Sequence, residues 1–194
     1  LLDQVEAGLG DGETVGRPYS IVSAPGDPFL EFYFSTVPEG PLSPRLSALK
    51  AGDIVQVAPK ANGFLVLDEV PPSIHLWLVS TGTGLGPFLS ILKTPEPWQR
   101  FQRVVLVHAV RTADELAYRR TIARIAEAEP KRFAYIPFLS REAADYALAG
   151  RIPQAIGDGR LEARAGLGLD AALAHVMLCG NPAMVADATA ALAA

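Results

Sequence analysis

The chain has 194 residues, of which 49% are hydrophobic and 20% are charged, and its formal net charge is -4. This length suits one large domain or two domains of about 100 residues each, and the composition argues against extensive disorder. Nucleic-acid-binding proteins are usually basic, so the acidic balance argues against that class. No apolar run approaches the roughly 20 residues that a membrane-spanning helix needs.

The single cysteine, Cys179, excludes an internal disulfide, a four-cysteine zinc site and an iron–sulfur cluster within this sequence. The histidines lack metal-ligand spacing, so we expect no metal site. We expect a reducing, cytoplasmic setting. The sequence begins at Leu1 without a methionine and stops at Ala194 within an apparently helical run, so we expect further protein at both ends.

The sequence pattern of the first part of the chain is typical of short strands joined by turns. Alternating apolar and polar residues over 30–35 predict a half-buried strand, and 42–50 is a helix candidate. Residues 53–58 and 64–67 are predicted strands that flank Asn62-Gly63, a hairpin turn pair. Short strands with such turns favour an antiparallel β-barrel.

After the stiff diproline Pro71-Pro72 the pattern changes to apolar runs that alternate with helix candidates. A capping box at Thr112–Glu115 predicts one helix through about residue 129, and Asn181-Pro182 predicts the start of the last. Four runs predict strands covered on both faces, and they span 74–79, 104–110, 133–139 and 175–179. Helices are predicted at 87–92 and 152–156 as well.

We therefore predict two domains: an antiparallel β-barrel at 1–72, followed by an α/β doubly wound parallel sheet at 73–194. The barrel domain is expected to lack its amino-terminal part. The sheet domain is expected to lack a C-terminal tail.

A glycine-rich loop, Gly82-Thr83-Gly84-Leu85-Gly86-Pro87, follows the first strand of the predicted sheet. Glycines there allow a pyrophosphate to approach the backbone, and the helix behind offers free amide groups and a positive dipole end. The spacing G-x-G-x-x-P differs from the G-x-G-x-x-G dinucleotide fingerprint. The alternative is a strand-to-helix turn that needs glycine for geometry alone.

Three arginines follow strands or open a helix at the expected ligand edge of this sheet: Arg111, Arg141 and Arg151. NAD enzymes of this topology usually place an acidic residue where Arg111 stands, so a cation there favours NADP and its extra phosphate. The alternative for any one of them is a solvated surface charge.

Four motifs occur in a specific order: R-x-Y-S at Arg17–Ser20, G-x-x-S at Gly40–Ser43, S-T-G-T-G-x-x-P at Ser80–Pro87, and C-G-x-x-x-M at Cys179–Met184. By itself Arg17–Ser20 fits an ordinary strand. Together the motifs resemble the bacterial ferredoxin/flavodoxin–NADP(+) reductase family over nearly the whole chain. The resemblance implies an oxidoreductase with FAD in the barrel domain and NADP(H) in the parallel domain.

By matching motifs, Arg17 would contact the FAD pyrophosphate, Tyr19 would lie against the isoalloxazine and Ser20 would bond near flavin N5. Backbone groups of 22–24 and 41–43 would hold the ribityl chain and phosphates. Thr83 would face the junction of the two rings. The resemblance names Ser20, Tyr19 and Cys179 as catalytic. The implied cofactor contacts are Arg17, Pro18, Tyr19, Ser20, Val22, Ser23, Ala24, Pro41, Leu42, Ser43, Thr81, Gly82, Thr83, Gly84, Pro87, Val110, Arg111, Ser140, Arg141, Arg151, Cys179, Gly180 and Asn181.

The resemblance implies single-electron exchange with ferredoxin or flavodoxin, and we expect a monomer. Those carriers are acidic, so Arg45 and Lys50 are candidate docking residues. Alternatives are the reductase component of a multicomponent oxygenase and a non-catalytic, flavin-binding redox sensor. His108, within the second predicted strand, is expected to be a core histidine with its hydrogen bonds satisfied.

Overall fold

The computed structural model describes residues 2–8 and 14–194. Its first part holds strands β1 and β2, helix α1 and strand β3. These elements span Leu2–Gly8, Thr14–Ser20, Ser43–Ala48 and Gln56–Val57, respectively. The three strands form an antiparallel sheet in the order β2-β1-β3. A closed barrel is not seen in these residues, so the barrel stays a prediction.

Several strand predictions in this part are wrong. Residues 30–35 contribute only an isolated bridge between Ile21 and Phe32, and the strand at 53–58 shrinks to β3. Residues 64–66 form no strand, and the last residue of the predicted strand at 64–67 begins a 3₁₀ turn, Leu67–Glu69. Arg100 holds this turn, because its guanidinium donates to the carbonyls of Leu67 and Val70 at 2.8 and 2.9 Å. Those carbonyls are therefore taken by a side chain from the second half instead of a partner strand.

The second part is a parallel sheet with helices, as predicted. Its strands are β4 (His75–Thr81), β5 (Arg103–Val110), β6 (Phe133–Leu139), β7 (Leu148–Ala149) and β8 (Ala174–Cys179). Its helices are α2 (Leu85–Leu92), α3 (Glu96–Arg100), α4 (Arg119–Ala128), α5 (Ile152–Gly157), α6 (Arg160–Ala165) and α7 (Pro182–Leu192).

The strand order is β7-β6-β5-β4-β8, with every pair parallel. The chain winds outward from β4 to β7 and then returns to place β8 on the other side of β4. Such a reversal opens a crevice at the carboxyl ends of the two adjacent strands, where open α/β sheets bind ligands. The fold therefore places the expected site at the ends of β4 and β8.

Both faces of this sheet are covered, because successive residues of β4 point to opposite sides. Leu76 and Leu78 pack in a core with α2 and Ile122 of α4, while Trp77 and Val79 pack with α5, α6 and α7. The apolar run without polar alternation follows from this double burial. No helix in the described ranges is both long enough and apolar enough to cross a membrane.

The helix predicted from the capping box at Thr112 is wrong in its first turns. A 3₁₀ turn, Ala113–Glu115, is followed by a break, and α4 begins only at Arg119. The side chain of Thr112 makes no cap bond. The Glu115 carboxylate instead accepts from Arg111, which removes the reciprocal bond that a capping box requires. Helices α3 and α6 and the short strand β7 were not predicted.

Candidate functional site

One open cleft of about 1300 Å³ lies between β2 with residues 33–43 and the carboxyl ends of β4, β5, β6 and β8. A pocket for one drug-sized ligand usually measures about 300–1000 Å³. The cleft is therefore larger than one such ligand needs. Its two walls come from the two parts of the chain.

Most of the predicted site residues line this cleft, although they come from distant points in the sequence. They are Arg17, Pro18, Tyr19, Ser20, Ser43, Thr81, Gly82, Thr83, Gly84, Val110, Arg111, Ser140, Arg151, Cys179, Gly180 and Asn181. The predicted residues that do not line it are Val22, Ser23, Ala24, Pro41, Leu42, Pro87 and Arg141.

Residues 22–24 lie off the cleft, and Val22 and Ser23 contact α2: a Cβ on Gly86 would lie 3.2 Å from Val22 Cγ2, and Ser90 Oγ donates to the Ser23 carbonyl at 2.8 Å. The Ala24 amide donates to Asp27 Oδ2 at 2.8 Å. Val22 and Ser23 are buried. Arg141 is exposed and adjoins the site only through its amide, which donates to the Arg111 carbonyl at 2.9 Å.

The glycine loop forms a 3₁₀ turn, Gly82–Gly84, that runs directly into α2. A Cβ on Gly84 would lie 2.5 Å from the carbonyl oxygen of Cys179, and one on Gly180, whose φ is +137°, would collide with Thr81. The Asn181 amide donates to Thr81 Oγ1 at 2.9 Å. The loop and the end of β8 thus touch backbone to backbone, which only glycine permits at these two positions.

His108 lies beneath this loop, fully buried in β5. Its Nε2 is 3.0 Å from the Gly82 carbonyl oxygen, so Nε2 carries the proton and donates. Burial lowers the pKa of His108 to about 4, against an opposing contribution from the bond to Gly82. The histidine is therefore neutral near pH 7. It is a core histidine, as predicted, but its hydrogen bonds are not all satisfied, because the buried Nδ1 has no partner among the described residues. It also holds the loop, which the sequence pattern did not indicate.

The outer end of the cleft carries the arginines. Arg111 Nε lies 2.8 Å from Glu115 Oε1, and the Arg111 amide donates to Glu115 Oε2 at 3.2 Å. Arg111, Arg151 and Ser140 are all exposed to the cleft. A guanidinium held at Nε keeps its terminal N–H groups for the oxygens of an anion such as phosphate. Glu115 was predicted as part of a capping box and not as a partner of Arg111, although the i,i+4 spacing of the two residues could have indicated the pair.

The opposite wall is aromatic. The Tyr19 and Phe34 rings meet edge to face with their centroids 5.6 Å apart. Burial raises the pKa of the Tyr19 phenol, although nearby Arg17 works against the shift. Tyr33, Phe34 and Val37 line the cleft but were not predicted to do so. The alternation at 30–35 predicted a strand and carried no information on a site, and Val37 lies outside that run.

Cys179 lies half-buried at the end of β8, and burial raises the pKa of its thiol. A thiol with a raised pKa stays protonated near pH 7 and is a poor nucleophile. Its position against Gly84 makes it part of the wall of the cleft.

Comparison with known proteins agrees with this arrangement. The family model described as "Oxidoreductase NAD-binding domain" matches residues 78–190, which are almost the whole parallel sheet. The sheet therefore places the chain in the class of nucleotide-binding oxidoreductases.

Curated relatives narrow this class. A flavodoxin/ferredoxin–NADP reductase of Escherichia coli is 50% identical over 177 residues, which are 91% of this chain and 71% of that protein. A ferredoxin–NADP reductase of Pseudomonas aeruginosa is 37% identical over 190 residues, covering 94% of this chain and 73% of the relative. The chain belongs to the flavodoxin/ferredoxin–NADP reductase family.

A solved structure supports the same assignment. The ferredoxin NADP+ reductase of Neisseria gonorrhoeae, crystallised with bound FAD and NADP, matches 99% of this chain and 77% of its own chain. The TM-score is 0.92 at 33% identity.

Proposed function

We propose that this protein is a ferredoxin/flavodoxin–NADP(+) reductase that transfers hydride between NADP(H) and bound FAD and passes single electrons to ferredoxin or flavodoxin. The observation that carries the proposal is the shared cleft. It brings the Arg17–Ser20 motif and the glycine loop at 82–84 to opposite walls of one space. Relatives of this family, including one crystallised with FAD and NADP, supply the identity of the two nucleotides.

The residues on the parallel-sheet wall suit a dinucleotide phosphate. Gly82 and Gly84 leave the backbone bare at the start of α2, where free amide groups and the helix dipole favour an anion. Arg111 and Arg151 add two guanidinium groups at the outer end of the cleft. In this proposal they bind the phosphates of NADP, with Arg151 at the 2′-phosphate.

The opposite wall suits a flat aromatic ring with an attached phosphate. Tyr19 offers a ring face held by Phe34, and Arg17 is an exposed cation two residues away. In this proposal Arg17 binds the FAD pyrophosphate, Tyr19 lies against the isoalloxazine and Ser20 hydrogen-bonds at its reactive edge. Ser43, which is 7% exposed and lines the cleft, completes this wall.

When bound, the two nucleotides supply the hydride donor and acceptor, and the protein supplies position and electrostatics. Ser20 and Thr83 face the cleft from opposite walls and orient the two rings toward each other. Cys179 and Gly180 limit the space beside the nicotinamide and exclude water from it. No proton-transfer residue is required, and the neutral His108 keeps the Gly82 carbonyl fixed.

For the partner, we propose an acidic ferredoxin or flavodoxin that docks beside the first part of the chain, residues 1–72, which we call the flavin half. Arg45 and Lys50 are exposed cations in and after α1. We also propose that residues 1–72 form part of a barrel-type FAD domain and 73–194 the NADP domain. The names of the relatives favour this function over an oxygenase reductase component or a redox sensor.

The test uses the purified full-length protein. It should be yellow, release FAD on denaturation and reduce added flavodoxin or ferredoxin with NADPH much faster than with NADH. A protein that takes up no FAD would refute the proposal. A protein that holds FAD but supports no NADPH-driven carrier reduction would instead favour the sensor.

A further inference from the structure

The end of α2 that is remote from the cleft is bonded to the flavin half. Lys93, the residue after α2, places Nζ 3.2 Å from the Val22 carbonyl oxygen and 3.2 Å from Asp27 Oδ2. The same ammonium lies 3.7 Å from Glu31 Oε2. We call Asp27, Glu31, Lys93 and Tyr118 the clasp.

Tyr118 joins the clasp from the other side. Its hydroxyl donates to Glu31 Oε1 at 2.9 Å, and its ring meets that of Tyr33 edge to face at 5.4 Å. Its φ of +57° is uncommon for a residue other than glycine and costs conformational energy. The bond to Glu31 and the contact with Tyr33 stabilise this conformation. Tyr33 itself lines the cleft.

Contacts along α2 connect the clasp to the site. A Cβ on Gly86 would lie 3.2 Å from Val22 Cγ2, and Ser90 Oγ donates to the Ser23 carbonyl at 2.8 Å. The segment after Ser20 therefore follows α2 from the glycine loop to Lys93. Gly86 of α2 also lies beside Ser20, whose Cβ would be 3.9 Å from a Cβ at Gly86. Because α2 contacts both ends of this segment and a helix is stiff, we expect a shift at Lys93 to reach Ser20.

Tyr118 also connects the clasp to the arginine end of the cleft. It follows Glu115, which holds Arg111, by three residues. Glu31 thus contacts Lys93 at the end of α2 and accepts a hydrogen bond from Tyr118, which follows the Arg111–Glu115 ion pair. One carboxylate in the flavin half contacts both elements that carry the nucleotide-binding groups.

We propose that Lys93, Glu31 and Tyr118 are positioning residues for hydride transfer. They set the distance between the cleft wall that carries Ser20 and the opposite wall that carries Thr83, and this inference rests on the proposed function. The reacting atoms must come within about 3–3.5 Å, and a misplacement of about 1 Å can reduce the rate a hundredfold. None of the three residues lines the cleft. They act through α2 and the segment at 20–31.

A purely structural role predicts a different outcome. The Lys93 and Glu31 side chains are 21% and 35% exposed, and ion pairs at such positions contribute little to stability. Their loss should then leave both the hydride-transfer rate and the cofactor affinities almost unchanged. A positioning role predicts a slower transfer step with FAD and NADPH still bound.

The experiment is anaerobic stopped-flow reduction of the FAD-loaded, full-length protein over a range of NADPH concentrations. This separates the limiting rate of flavin bleaching from the apparent Kd for NADPH. The variants are Lys93→Met, Lys93→Arg and Tyr118→Phe, with Lys131→Met as a matched control at an exposed lysine outside the clasp.

We expect Lys93→Met to lower the limiting rate about tenfold and Tyr118→Phe about threefold, with Kd for NADPH and FAD content close to wild type. Lys93→Arg should restore most of the rate, and Lys131→Met should match wild type. Should Lys93→Met fail to fold, Tyr118→Phe decides. Wild-type limiting rates in both Lys93→Met and Tyr118→Phe would overturn only this inference. A wild-type protein whose flavin NADPH cannot reduce would overturn the proposed function on which the inference rests.

Discussion

The two walls of the cleft are built in different ways. The parallel-sheet wall is fixed by its own hydrogen-bonded strands, and Trp77 and Leu78 of β4 are fully buried. The opposite wall, β2 with residues 33–43, has little regular structure after β2 apart from α1, and it exposes the apolar side chain of Val37. The segment that joins β2 to residues 33–43 is held by bonds from the second half, notably those of Lys93 and Tyr118. One wall is therefore determined locally, and the other depends on contacts across the molecule.

The first prediction tests whether the parallel-sheet wall is fixed backbone to backbone. Gly84→Ala would place a methyl group against the Cys179 carbonyl. We expect NADPH binding to weaken by about 3 kcal/mol, or roughly a hundredfold, while FAD binding stays near wild type. Titration of each cofactor measures this.

The control is Gly157→Ala, because nothing lies within 4 Å of the added atom. It should leave both affinities unchanged. If Gly84→Ala binds NADPH like wild type, the loop is not fixed against β8 in the way described.

The second prediction concerns His108 beneath the same wall. Its pKa in the folded protein is about 4, below the ordinary value of 6.5. The unfolded chain therefore binds the proton more readily, and the stability from the neutral histidine, present above about pH 6.5, is lost as the pH falls toward 4. The contribution lost between about pH 7 and pH 5 is about 2 kcal/mol.

Urea unfolding at both pH values, for wild type and His108→Gln, isolates this contribution. Glutamine keeps an N–H donor for Gly82 but does not titrate. The variant should lose less stability than wild type on acidification. Equal losses would show that His108 is not the group responsible.

The third prediction separates two arginines that the sequence treated alike. Arg151 lines the cleft and Arg141 does not. A charged hydrogen bond contributes about 1.5 kcal/mol or more, so Arg151→Ala should weaken NADPH binding about tenfold or more. Binding of NADH should change little.

Arg141→Ala is the comparison variant, and we expect it to change the Kd for NADPH less than threefold. Equal effects of the two substitutions would place both side chains at the phosphate and contradict the position of Arg141 outside the cleft.

The smallest predicted effect concerns the cap of α7. Asn181 accepts a hydrogen bond from the Ala183 amide at 2.9 Å. Asn181→Ala should reduce the free energy of unfolding by about 1 kcal/mol, and Asn181→Ser should retain most of it. Thermal unfolding measures both, and an unchanged Tm for the alanine variant would argue against the cap.

The two walls also differ in how far their structure could be predicted from the sequence. Runs such as 104–110 are apolar apart from His108 because both faces of the sheet are covered, so these runs identified every long strand of the parallel half. The turn at Leu67–Glu69 was missed, since nothing local shows that Arg100 binds the Leu67 carbonyl. The Arg111–Glu115 pair was missed although its spacing is local. Motifs brought most candidate residues into one cleft. Tyr33 and Phe34 were not identified as cleft-lining residues, because the alternation at 30–35 predicts a strand and does not show whether its side chains line a site.

The central claim is that one cleft holds both nucleotides with their reactive rings facing each other. It is tested most directly by anaerobic titration of the FAD-loaded, full-length protein with NADPH in the absence of any electron carrier. The account predicts that the flavin absorbance bleaches in proportion to added NADPH, with about one equivalent per flavin. A flavin that stays oxidised at saturating NADPH would contradict it.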